Sequence, residues 1–123
     1  MRRLVAAVAV VLLTSLTLTA CGGGSGSSAQ DPSHLPTKVI DVTFSGESVT
    51  PNGDRYDVAV GQRIELDVTA DKPGEIHVHS SPEQEFEYDK GSSTIAVKPI
   101  TTPGIVTVES HTLDKVLFQL QVK

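Results

Sequence analysis

The chain has 123 residues, with 10 Lys and Arg against 15 Asp and Glu and a formal net charge of −5. Removal of residues 1–20 as a targeting segment takes Arg2 and Arg3 with it, leaving 103 residues, 8 basic against 15 acidic, and a net charge of −7. A surface of that sign repels phosphate backbones and excludes nucleic acid as a partner, while the length excludes a multidomain enzyme or a polytopic membrane protein.

Met1-Arg2-Arg3 is a short positive start, and the run Leu4 to Leu18 behind it is apolar apart from Thr14, Ser15 and Thr17. Fifteen residues fall short of the roughly 20 needed for a permanent span and suit the core of a secretory signal. The run ends Leu18-Thr19-Ala20-Cys21, followed at once by three glycines. That ending resembles a bacterial lipobox, which implies cleavage before Cys21 and acylation of its sulfur. Cys21 is the only cysteine, so no disulfide can form within the chain and no thiolate is left for metal binding or catalysis. Two or three acyl chains make a stable anchor, since each buried methylene adds roughly 0.8 kcal/mol. The expectation is a protein held on the outer face of a bacterial cell membrane, extracytoplasmic and not spanning it.

Residues 21–37 are rich in Gly and Ser and lack apolar periodicity. They read as a flexible tether with a reach on the order of 20 Å, and His34 within it reads as solvated.

From Lys38 to Lys123 the pattern is period two, bounded by turn residues, which predicts strands. Val39 to Phe44 puts Ile40, Val42 and Phe44 on one face. Pro51-Asn52-Gly53-Asp54 is a turn; its Asn-Gly pair suits positive φ, and no longer Gly-rich run or following helix makes it a phosphate loop. Tyr56, Val58 and Val60 alternate up to Gly61. Ile64, Leu66 and Val68 alternate with Glu65, Asp67 and Thr69 in the clearest half-buried strand of the chain. After the turn Asp71-Lys72-Pro73-Gly74, Ile76 and Val78 alternate with His77 and His79. Phe86 with Tyr88, and Ile95 with Val97, mark two short strands. Pro103-Gly104 opens a strand to Ser110, and the last strand carries Val116, Phe118, Leu120 and Val122 on its expected inner face. Seven to eight short strands in this length predict an all-β, antiparallel Greek-key β-sandwich or small barrel. Scarce aromatic residues and the absence of Trp leave the core to Val, Ile and Leu, and argue against a sugar-stacking sandwich.

The order of these signals resembles a cupredoxin-like domain over residues 38–123, of the kind found in bacterial iron-uptake components and small actinobacterial lipoproteins. Gly61-Gln62-Arg63-Ile64-Glu65-Leu66 is similar to the strand that precedes the first copper-ligand histidine. Ile76-His77-Val78-His79 then stands where that histidine is expected. Pro103 to Ser110 is similar to the strand that ends in the copper-ligand cysteine, with Leu113 to Val122 as the closing strand. The departures are as informative as the matches. Ser110 stands at the cysteine position and the only methionine is Met1, whereas blue copper needs a thiolate and a weak axial ligand. The resemblance implies a fold that could hold copper or another transition metal, and no blue-copper centre.

Three residue groups carry candidate chemistry. His77 and His79 lie at i and i+2, on one face of a strand with Cα atoms about 6.5–7 Å apart. Neutral imidazoles at that spacing can share a Cu, Zn or Ni ion, and the resemblance adds His111 as a third ligand. The same two rings could equally be solvated on an exposed face. Glu83, Glu85, Glu87 and Asp89 would project from one face of an extended segment, as a candidate surface for a hard cation or a basic partner, or as a charged edge that resists aggregation. Ser110, His111 and Asp114 contain the residue types of a hydrolytic triad, but 110 and 111 point to opposite faces of a strand and no nucleophile elbow surrounds Ser110. The expectation is therefore no catalyst. Two functions stay open: a metal-binding module in the cell envelope, and a metal-free β-sandwich scaffold for an envelope protein partner.

Overall fold

Alternation of apolar and polar residues builds nine strands between Lys38 and Val122: β1 Lys38–Ser45, β2 Ser48–Thr50, β3 Asp54–Val58, β4 Ile64–Ala70, β5 Gly74–Val78, β6 Gln84–Tyr88, β7 Gly91–Val97, β8 Gly104–Ser110 and β9 Lys115–Val122. These come from a computed structural model that describes residues 31–123. The targeting segment, Cys21 and most of the tether lie outside the described residues. Among the described residues no helix is long and apolar enough to cross a membrane.

The strands form two sheets, a four-stranded one in the order β2-β1-β4-β7 and a five-stranded one in the order β3-β9-β8-β5-β6. The sandwich is as expected from the sequence, but its sheets are mixed. β1 pairs with β4 and β3 with β9 in parallel, and the other pairings are antiparallel. The inner faces carry the residues that the alternation marked. Ile40, Val42 and Phe44 of β1 and Ile64, Leu66 and Val68 of β4 are buried with Ile76, Val78, Val106, Val108, Phe118, Leu120 and Val122 of the other sheet. Each such side chain contributes on the order of 1.5–3 kcal/mol by leaving water. Tyr88 stacks on Phe44 with ring centroids 4.8 Å apart.

The last strand departs from simple alternation. Val116, expected inside, is 39% exposed, while Leu117 is fully buried. Val108 pairs with Phe118 but Glu109 pairs with Val116, so Leu117 is an extra residue in β9. Such a bulge reverses the sense of the alternation on its own strand, and here it lies beside the end of β8 that carries Glu109.

Part of the expected tether is engaged by the domain. Pro32–His34 form a single 3-10 turn, and the Pro32 ring lies against Gly61. The Gln62 side-chain amide donates to the Pro36 carbonyl at 2.9 Å. His34 is exposed, with Asp31 3.8 Å away.

Candidate metal centre

β5 lies between β8 and β6 in the five-stranded sheet. Its alternation sends Ile76 and Val78 into the core and His77 to the outer face, yet His77 is only 6% exposed. The outer face is built up around it. His79 follows the end of β5, and its N–H donates to the Thr107 carbonyl at 2.9 Å. This holds its ring on the same face, with the two imidazole centroids 4.1 Å apart. β8 sets Glu109 directly across from His77. The turn after β8 brings His111 over the His77 ring, nearly perpendicular at 4.6 Å. That turn closes on Leu113 N–H, which donates to Ser110 Oγ at 3.3 Å, and on Thr112 Oγ1, which accepts from Glu75 N–H at 3.3 Å.

His77, His79, Glu109 and His111 each offer one ligand atom, and these atoms lie within 4.8 Å of one another. His77 Nδ1 is 2.9 Å from His111 Nε2, two imidazole nitrogens with room for a single proton between them. His79 Nε2 is 2.7 Å from Glu109 Oε1, and His111 Nε2 is 3.3 Å from the same oxygen. The hydrogen bond to Glu109 holds the His79 pKa above the ordinary imidazole value, although loss of solvent acts the other way. The same bond holds the Glu109 carboxyl below the usual carboxylate range. The outward nitrogens also face carboxylates. Glu75 Oε1 is 3.1 Å from His111 Nδ1, and Glu83 lies 3.3 Å from His77 Nε2 and 3.5 Å from His79 Nδ1. The Glu83 contact with His77 is within ion-pair distance but poorly aligned, so His77 Nε2 is buried without a hydrogen bond.

The structure thus brings together the three histidines singled out in the sequence. Both rings of the His-x-His pair stay on one face, but they are not simply solvated, because His77 is covered. Glu85 and Glu87 project from the outer face of β6 and Asp89 lies beyond its end, whereas Glu83 precedes the strand and turns to the histidines. Glu83 thus lies on the same outer face as Glu85 and Glu87, at its histidine end. The loop before β6 that carries Glu83 is held at both ends. Ser80 N–H donates to the Val78 carbonyl, and Ser80 Oγ donates to the Pro82 carbonyl at 2.6 Å. The buried Gln84 amide donates to Ser80 Oγ and to the Lys98 carbonyl, and its oxygen accepts from Lys98 N–H at 2.8 Å.

Glu109 was not singled out in the sequence. Its signal was weak but present: Glu109-x-His111 repeats the spacing of His77-x-His79 at the end of a strand. Ser110 is buried in the core and pairs with the inward-facing Ile76. It shares a hydrogen bond with the Tyr88 hydroxyl. His111 reaches the opposite face and Asp114 sits in the turn at φ 53°, so the residue types of a triad do not assemble.

No family model matches the sequence, and no curated protein matches it. Solved structures do. A methionine-to-alanine mutant of amicyanin, in its Cu(I) form, aligns with a TM-score of 0.52 at 10% identity, over 75% of this chain and 89% of that one. A purple cupredoxin from Nitrosopumilus maritimus aligns at 0.51 and 13% identity, over 70% and 99%. The fold is cupredoxin-like. Auracyanin A, a blue copper protein from Chloroflexus aurantiacus, aligns similarly at 0.52 and 10% identity, over 72% and 100%. Within this cupredoxin-like domain, Ser110 faces between the sheets while the histidine–glutamate cluster occupies the outer face of one of them. A thiol at position 110 would point away from the cluster.

Proposed function

We propose that this protein is a lipid-anchored component of the bacterial cell envelope whose cupredoxin-like domain binds a transition-metal ion, copper foremost, on the outer face of its five-stranded sheet. His77, His79, His111 and Glu109 would hold the ion. The observation that carries the reading is a buried imidazole, 6% exposed and with one nitrogen lacking any hydrogen bond, at the centre of four convergent donors. Solvated surface histidines have no reason to be buried against one another. The donor set fits the ion: nitrogen and carboxylate oxygen ligands suit Cu(II) or Zn(II), and carboxylates face the outward nitrogens of all three rings, as ligating histidines generally require.

The ion, when bound, would add positive charge and Lewis acidity to an acidic sheet face. His77 supplies a donor already stripped of water, and the turn at His111 closes over it. Glu109 contributes the one anionic donor. With no thiolate in the set, blue-copper electron transfer is not part of this reading, and the domain handles metal rather than catalysing a reaction. Titration of the protein with Cu(II) and Zn(II) tests it: saturable 1:1 binding should be lost in His77→Ala. Copper-loaded protein should be pale, since intense blue colour needs thiolate ligation. Binding that is indifferent to all three histidines would move the site to Glu85 and Glu87. Absence of saturable binding would leave a metal-free scaffold for an envelope protein partner.

The membrane anchor rests on the lipobox-like ending at Cys21. Cys21→Ser should release the protein to the aqueous fraction or leave the precursor uncleaved, and unchanged membrane retention would remove this part of the proposal.

A further inference from the structure

Resting on the metal reading above, we infer that Glu83 is a positioning residue for His77, holding Nε2 of the ring outward and turning Nδ1 toward the ion. Geometry assigns this role to Glu83 and not to the other acids of the sheet face. Its two carboxylate oxygens divide between two rings, Oε2 lying 3.3 Å from His77 Nε2 and Oε1 3.5 Å from His79 Nδ1. Those are the nitrogens opposite the ones that meet His111 and Glu109, at 2.9 and 2.7 Å. A neutral imidazole carries one proton, and the nitrogen without it donates the lone pair to a metal. On His77 an anionic acceptor on the far side of the ring draws the proton to Nε2 and leaves Nδ1 free, whereas the inward Nε2 of His79 already faces the nearer carboxylate of Glu109.

His77 has the greater need of such a partner. Its Nε2 is buried and without a hydrogen bond, so no water competes with Glu83 for it. The carboxylate is 64% exposed on its side chain and free to swing into line, whereas its backbone is fixed. Gln84, the next residue, is locked to Lys98, just past the end of β7, and to Ser80, and Ser80 is bound to Pro82. Two anchors therefore flank an exposed carboxylate, which suits a group that must approach the His77 ring without holding the ion itself.

The test uses the untagged full chain in detergent, titrated with Zn(II) and observed by imidazole 15N NMR, in wild type, Glu83→Ala, Glu83→Gln and Glu87→Gln. Glu87 is exposed on the same acidic face, so its variant removes equal charge without touching a ring. Glu83→Ala should weaken Zn(II) binding by about 10- to 100-fold, as loss of an outer partner to a ligand does, with Glu83→Gln in between and Glu87→Gln within about threefold of wild type. In wild type, without metal and at a pH where the rings are neutral, His77 should carry its proton on Nε2; in Glu83→Ala the two tautomers should mix. Equal weakening by Glu83→Ala and Glu87→Gln, or a His77 proton resident on Nδ1 in wild type, would overturn the inference. Failure of wild type to bind Zn(II) or Cu(II) would sink the metal reading instead, and the unloaded rings would then decide the role of Glu83 by themselves.

Discussion

Replacing His77 with leucine should stabilise the metal-free domain while abolishing its metal affinity. The His77 ring is 6% exposed and its Nε2 has no hydrogen bond, and an unsatisfied buried polar group costs about 1–3 kcal/mol. Leucine removes that group and keeps a side chain of similar volume in the same place. The substitution also loses the 2.9 Å contact between His77 Nδ1 and His111 Nε2, a hydrogen bond with a net contribution of about 1 kcal/mol. His111 is 47% exposed, so its freed nitrogen returns to water at little penalty. The balance favours the variant by about 1 kcal/mol, which raises Tm by roughly 4–8 °C in a domain of this size. Metal should invert the order. At 100 times its Kd, an ion that binds only the folded wild type adds about 2.7 kcal/mol, and the variant gains nothing. Thermal unfolding of both proteins, in chelator and in excess Zn(II), reads the two differences directly. A variant less stable than wild type in chelator would refute the reasoning, because the histidine network would then be supporting the fold rather than waiting for a ligand.

Three further outcomes follow from the same contacts. The His79–Glu109 pair stabilises the metal-free fold when His79 is protonated and Glu109 ionised. A raised His79 pKa gives stability that is complete below about 6.5 and is lost as pH rises through the folded value; a lowered Glu109 pKa gives stability present above about 4.5 and lost as pH falls through its folded value. Metal-free stability should therefore exceed that of Glu109→Gln most between about pH 4.5 and 6.5, whereas metal affinity should climb above that window as His79 sheds its proton; parallel pH profiles for the two proteins would contradict the pairing. Ser110→Cys should bind copper no differently from wild type and should stay pale, since position 110 faces the core; an intense blue band would show that a side chain there reaches the ion. Gly74→Ala should destabilise the domain by about 1–3 kcal/mol, the usual range for overpacking, because the added Cβ would run into the Tyr88 hydroxyl, and an unchanged urea midpoint would show that Tyr88 moves aside freely.

Much of this architecture is local information. Ile64, Leu66 and Val68 against Glu65, Asp67 and Thr69 mark an inner and an outer face without reference to any neighbour, because successive side chains of a strand alternate. The same rule puts His77 and His79 on one face, and Ser110 and His111 on different ones. Whether such a face is wet depends on what lies across from it, and strand pairing between residues far apart in sequence leaves no periodic trace. His77 is buried because β8 runs beside β5 with Glu109 in register and carries His111 back over the ring. Glu83 meets His77 and His79 because β6 pairs with β5 in a register that sets Glu85 across from His77. Leu117 enters the core in place of Val116 because one residue more on β9 than on β8 must be absorbed at that point. Period two therefore decides which way a side chain points, and register between distant strands decides what it meets there; a histidine–glutamate cluster drawn from two strands and a turn is made by the second.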